Sequence, residues 1–297
     1  MSWLERAIRV GLRPLGVRSR YIETDVARHH VYDAGGGGAL PPIVFLPGLS
    51  DSATSLLPVL LRVRRRARRV VIVESAGHGL SGAARGEYTV ARHLASIAAV
   101  LDELLDEPAI LAGNSLGGAT AFRYAVDRPS RVCGLYLTSP AGAPMDETAR
   151  EDIRRAFTMQ TTVDARAFLD RVFHRAPALA PLLARLILAR ASSPAIADLL
   201  GSIGNDGALP DKLAGLTVPV TVVWGRSERL LPASSLAYWR DHLPAHAVFA
   251  EPDGFGHCPH LDDPARLARM IAAFATSLTP DFQSGTRARA PALRSAL

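Results

Sequence analysis

Short apolar runs recur along most of this chain, separated by stretches with helical spacing. Ile43–Leu46, Val70–Val73, Ile110–Ala112, Val132–Leu137 and Val220–Trp224 are three to six residues long and almost wholly apolar. Runs of that kind predict buried strands. Between them, Ser55–Leu61 and Ala119–Ala125 predict helices. The start, Arg20–Asp33, reads as β-structure, and Gly35–Gly38 before Pro41 and Pro42 as a turn between early strands. This glycine run is not a phosphate cradle, since it leads into a strand and carries no lysine. The alternation predicts an α/β fold: a mainly parallel, doubly wound sheet with helices on both faces.

That alternation stops near residue 143. Ala149–Phe157, Val163–Phe173, Ala178–Ala191 and Pro194–Ser202 all have helical spacing, so residues 143–212 predict a helical insertion. Leu179, Leu182, Leu183, Leu186, Ile187 and Leu188 make it strongly apolar. The core is then residues 20–142 and 213–278, and residues 279–297 read as a loose tail. Residues 1–19 hold an N-terminal amphipathic helix. Leu4, Ala7, Ile8, Gly11, Leu12 and Leu15 share one face, and Arg6, Arg9 and Arg13 lie off it. A basic helix of this kind lies in a membrane interface or packs on its own protein. Residues 1–16 are therefore a candidate peripheral membrane contact. The segment lacks the continuous apolar stretch of a signal peptide or membrane span, which implies a cytoplasmic location, membrane-associated if this helix binds lipid.

Composition narrows the classes. The 297 residues suffice for one large α/β domain with an insertion, and 48% hydrophobic content supplies its core. Two cysteines, Cys133 and Cys258, imply no disulfide framework. The net charge is +6, with arginines crowded at 62, 64, 65, 66, 68 and 69. This run follows a predicted helix, where cations complement the C-terminal dipole. No nucleic-acid module accompanies it, so no nucleic-acid partner is expected.

The chemistry concentrates in three places. Gly113-Asn114-Ser115-Leu116-Gly117 fits G-x-S-x-G between a predicted strand and a predicted helix. Such a turn strains the serine backbone, admits only small residues at its flanks, and lifts the serine hydroxyl clear of the sheet. A serine hydroxyl needs a base to take its proton and a carboxylate to orient that base. Gly254-Phe255-Gly256-His257 offers an imidazole in a tight loop. Glu228 lies just past the carboxyl end of the strand Val220–Trp224, where ligand sites form in open α/β sheets. The order Ser115, Glu228, His257 is nucleophile, acid, base.

With these segments in view, the chain resembles the α/β-hydrolase superfamily, in its serine esterase and lipase-like branch with a helical cap, over roughly residues 20 to 277. Five segments carry the likeness: Phe45-Leu46-Pro47-Gly48-Leu49, the run Glu74 to Ser81, the Ser115 turn, Trp224 to Pro232, and Gly256 to Pro264. The resemblance implies an oxyanion hole from the backbone N–H groups of Leu49 and Leu116. It implies that residues 143–212 form a cap over the site, with Phe157 and Met159 as candidate substrate contacts. Two positions depart from the family pattern. Pro47 stands where most relatives carry histidine, and Glu228 where most carry aspartate. Asp146 is the reserve acid. No aspartate stands at position 115, which argues against dehalogenase and epoxide hydrolase chemistry.

The implied activity is hydrolysis of small-molecule carboxylic esters with an apolar acyl or alcohol part, without metal or organic cofactor. A carbon–carbon bond hydrolase, or a thioesterase or acyltransferase, would use the same triad. A non-catalytic binding protein on this scaffold is the remote alternative.

Overall fold

A computed structural model of the chain describes residues 9–191, 193–204 and 213–279. The strands are β1 (Val17–Glu23), β2 (Arg28–Gly35), β3 (Ile43–Leu46), β4 (Arg69–Val73), β5 (Ala109–Asn114), β6 (Val132–Thr138), β7 (Val220–Val223) and β8 (Val248–Ala250). The helices of the body are α1 (Ala53–Val63), α2 (Val90–Leu104) and α3 (Leu116–Asp127). Between β6 and β7 come α4 (Glu147–Phe157), α5 (Thr162–Val172), α6 (Ala180–Ala191) and α7 (Pro194–Gly201). Then follow α8 (Ala233–His242), α9 (Pro259–Asp262) and α10 (Pro264–Ser277).

One eight-stranded sheet runs in the order β1-β2-β4-β3-β5-β6-β7-β8. β1 pairs antiparallel with β2, and β2 with β4; every other pair is parallel. The apolar runs are explained by what covers the sheet. Val44, Leu46, Val71, Val73 and Leu111 join a core with Ile97 and Leu101 of α2, Phe122 of α3 and Trp239 of α8. Their neighbours Ile43, Phe45, Val70, Ile72 and Ile110 join a second core with Leu56 and Leu60 of α1 and Ile271 and Phe274 of α10. Side chains alternate across a strand, so a sheet covered on both faces needs an apolar residue at every position. Each such buried Val or Ile contributes about 1.5–3 kcal/mol of transfer free energy.

Helices α4 to α7 hold a separate apolar cluster, with Ile153, Phe168, Leu169 and Leu200 buried in it and Leu230 of the body joining from below. These helices span Glu147 to Gly201, and residues 205–212, where the predicted insertion ends, lie outside the described ones. The amphipathic reading of residues 1–16 is testable only in part, because residues 1–8 also lie outside them. Residues 9–12 are helical, and a 3-10 turn follows over Arg13–Leu15. Leu12 is buried in the core against α1 and the sheet, whereas Leu15, from the same predicted face, is exposed. The tail, 280–297, is likewise outside the described residues.

The arginine run has local partners. Arg69 pairs with Asp33, Arg68 with Glu107, and the Arg64 guanidinium donates to the Leu15 carbonyl. Arg66 donates to Thr276 Oγ1 of α10 at 3.4 Å, so four of the six cations hold β4 and the α1–β4 turn against neighbouring elements. Among the described residues, no helix is long and apolar enough to cross a membrane.

Candidate active site

The turn from β5 into α3 places Ser115 at φ 52°, ψ −119°, a left-handed backbone that a residue with a Cβ adopts only under constraint. Four backbone hydrogen bonds supply it. Ser115 N–H donates to the Thr138 carbonyl at 3.1 Å, and the Ser115 carbonyl accepts from Gly118, Ala119 and Ala141. The flanking glycines are required by contact. A Cβ on Gly117 would lie 2.0 Å from the Leu46 carbonyl oxygen, and one on Gly113 would lie 2.3 Å from that of Gly117. Gly117→Ala must therefore displace backbone, at a cost of about 1–3 kcal/mol for forced overpacking. A urea titration should show this loss. Gly201→Ala, where a Cβ meets nothing within 4 Å, should not show it.

Glu228 and His257 come together as the sequence predicts. His257 Nδ1 lies 2.8 Å from Glu228 Oε2, and both side chains are almost fully buried. The other carboxylate oxygen of Glu228 accepts the N–H groups of Leu230 at 2.8 Å and Leu231 at 3.0 Å. Burial acts against the charged carboxyl. The charge and hydrogen bond of His257, with help from Ser139 and the Leu231 N–H, outweigh it and hold the Glu228 pKa below the ordinary carboxylate value. The Glu228 bond fixes the proton of a neutral His257 on Nδ1. Nε2 makes no hydrogen bond among the described residues.

Ser115, His257 and Leu49 line one cavity of about 880 Å³. Phe157 lines it too, as anticipated, together with Phe168, Leu169 and Ile187 of α5 and α6. Met159 does not; it is buried in the core of the inserted helices, because α4 ends at Phe157 and the chain turns inward before α5. Asp146 does not line the cavity either. It caps α4, accepting the Ala149 N–H at 2.8 Å. The backbone N–H groups of Leu49 and Leu116 make no hydrogen bond among the described residues, and Leu116 directly follows Ser115 at the first position of α3.

Several residues to which the sequence assigned no role hold this arrangement. The Ser50 N–H donates to His78 Nε2 at 3.1 Å, and His78 Nδ1 lies 2.8 Å from the Ala76 carbonyl. His78 thus braces the loop in which Pro47 replaces the usual histidine. Glu74, 1% exposed, accepts the Ala53 N–H at the start of α1, the Leu80 N–H and His30 Nδ1. Asn114 donates to the His257 carbonyl at 2.9 Å and so ties the serine turn to the histidine loop. Asp51 accepts from His260 at 3.0 Å, Ser55 Oγ at 2.8 Å and the Ser52 N–H at 2.8 Å. Burial disfavours its charge, but His260 and these donors hold its pKa below the ordinary value. The Cys258 thiol faces the same cavity, and burial pushes its pKa well up, so it stays protonated and is no rival nucleophile. Pro47 alone marks, in the sequence, that some other group must brace the loop.

The alpha/beta hydrolase family model matches residues 43–270, most of the chain. The chain belongs to that family. It is a hydrolase, and Ser115, Glu228 and His257 lie on the segments that follow the carboxyl ends of β5, β7 and β8. It is similar to an uncharacterized protein of Mycobacterium tuberculosis, 25% identical over 266 residues that cover 82% of this chain and 77% of that protein. It is also similar to the 2-hydroxymuconate semialdehyde hydrolase of Pseudomonas putida, 27% identical over 222 residues covering 70% and 77%. Among solved structures, a bacterial membrane phospholipase A superposes with a TM-score of 0.78 at 22% identity, covering 93% of both chains. That last likeness is one of fold.

Proposed function

We propose that this α/β-hydrolase cleaves carboxylic esters carrying an apolar part, through an acyl-enzyme on Ser115. One observation carries the reading: a serine on a strained turn shares a cavity with a histidine whose Nδ1 is bound to a buried carboxylate.

The steps follow from that geometry. His257 Nε2 takes the Ser115 hydroxyl proton as Oγ bonds to the ester carbonyl carbon. The negative charge moves to the carbonyl oxygen, where the Leu49 and Leu116 N–H groups receive it. Each such preorganised donor is worth about 3–4 kcal/mol in the transition state. Glu228 stabilises the imidazolium that forms. As the tetrahedral intermediate collapses, the alkoxy oxygen departs with the proton from His257. Water then gives a proton to His257 and its oxygen to the acyl carbon, and Ser115 leaves with that proton restored.

The apolar side chains of α5 and α6 favour an apolar acyl chain. A p-nitrophenyl ester series from acetyl to palmitoyl tests this. The kcat/KM should rise by up to about fourfold per added methylene while the chain still gains burial. A best rate on the acetyl ester would remove the apolar pocket from the reading. Absence of hydrolysis across the series would favour a carbon–carbon substrate, as the name of the Pseudomonas putida relative suggests, or a thioester.

A further inference from the structure

The cavity beside Ser115 has two chemically different walls. The inserted helices contribute the apolar one, with Phe157, Phe168, Leu169, Val172 and Ile187. The other wall is polar and comes from the loop and first turn of α1: Ser50, Asp51, Ser52, Thr54 and Ser55. Ser193, just before α7, adds a further hydroxyl to the lining. An ester apolar on both sides of the carbonyl would leave any hydroxyl here that lacks a protein partner dehydrated without compensation, which is costly.

The hydrogen bonds within the polar wall show which groups are committed. Ser52 Oγ and Thr54 Oγ1 bond each other at 2.7 Å, and Ser55 Oγ bonds Asp51. The Asp51 carboxylate is taken up by His260, Ser55 and the Ser52 N–H. Ser50 Oγ and Ser193 Oγ have no hydrogen-bond partner among the described residues, although both line the cavity. A carboxylate already paired with a histidine does not call for a cationic ligand. Two uncommitted hydroxyls, each able to donate and accept, match neutral hydroxyl groups.

Reaction chemistry decides which end of the ester meets this wall. The leaving alcohol must depart beside His257 to receive its proton. His260, three residues beyond His257, is bonded to Asp51 of the polar wall. The histidine loop and the polar wall therefore adjoin, and the alcohol lies along that wall. The acyl chain is left with the apolar side chains of the inserted helices.

We propose that the alcohol side of this cavity takes a polyol, so that the preferred substrates are monoesters of glycerol-like alcohols with an apolar acyl chain. Ser50 and Ser193 bind the free hydroxyl groups and set specificity. The inference rests on the ester-hydrolase reading of Ser115.

The test compares 1-butyrylglycerol with ethyl butyrate, which share an acyl group and are both used below any micelle concentration. In the wild-type full chain, kcat/KM for the glycerol ester should exceed that for the ethyl ester by about tenfold, the scale of two net hydrogen bonds. In the Ser50→Ala, Ser193→Ala double variant the ratio should fall toward one. Reading a ratio removes any general loss of folded enzyme, since both esters are measured on the same preparation. Equal wild-type rates would overturn the polyol proposal while leaving the ester-hydrolase reading in place. So would a wild-type preference that the double variant retains. Hydrolysis of neither ester would overturn both.

Discussion

Ser115→Ala should remove the proposed ester hydrolysis, by at least about 10⁴-fold in kcat, and leave the fold in place. The side-chain oxygen is the only atom lost. Every backbone hydrogen bond that imposes the turn, from Thr138 to Ala141, is made by main-chain atoms of residue 115. Alanine has the same Cβ and meets the same strain at φ 52° as serine. The protein should therefore melt within a degree or two of wild type while p-nitrophenyl butyrate is no longer cleaved. A fluorophosphonate probe should label wild type and not the variant. Activity retained at more than a few per cent would mean that the nucleophile is elsewhere. Cys258 would not be the obvious substitute, since burial keeps its thiol protonated.

Glu228→Gln should cost about 10⁴-fold in kcat despite its near-identical shape. The reason is the direction of the hydrogen bonds. The N–H groups of Leu230 and Leu231 both point at one carboxylate oxygen. In the variant, the amide oxygen must stay there, because an NH₂ group facing two donors would leave all of them unpaired. The NH₂ then faces His257 Nδ1 and forces that nitrogen to accept. The imidazole proton moves to Nε2, and the ring can no longer take a proton from Ser115.

The same substitution has a consequence for stability against pH. Folding holds the Glu228 pKa below its ordinary value, so the ionised carboxylate is favoured in the folded state. Its contribution is fully present above the unfolded value, about 4.3, and is lost as pH falls through the lower folded value. Melting temperature measured from pH 7 to pH 3 should decline less steeply at the acid end in Glu228→Gln than in wild type. Superimposable acid limbs would mean that Glu228 is not held ionised by His257. Asp51, held low by His260, would still contribute its own acid limb in both proteins.

Local chemistry made much of this protein legible in its sequence. An apolar run four residues long has few uses besides a strand covered on both faces, and β3 and β4 are that. Gly113 precedes the serine turn because a Cβ there would strike the Gly117 backbone, a constraint that acts within five residues of chain, whereas a Cβ on Gly117 would strike the distant Leu46 backbone. The order of nucleophile, acid and histidine follows from strand order in one family of folds, and Glu228 and His257 do meet at 2.8 Å.

Contacts between distant segments were not legible. Nothing local to Met159 distinguishes it from Phe157, yet both join the core of the inserted helices and only Phe157 also lines the cavity. Asp146 sits after β6, where an acid could have served, and instead caps a helix. His78 replaces a missing brace from 28 residues away, and His260 meets Asp51 across 209 residues. Sequence by itself determined most of the elements, the class of sheet and the candidate reacting groups, since periodicity, turn sterics and side-chain chemistry act over a few residues. Tertiary structure decided which groups brace the site and how the cavity divides into an apolar and a polar wall. Those depend on hydrogen bonds and burial between segments that only the closed sheet and the inserted helices bring together.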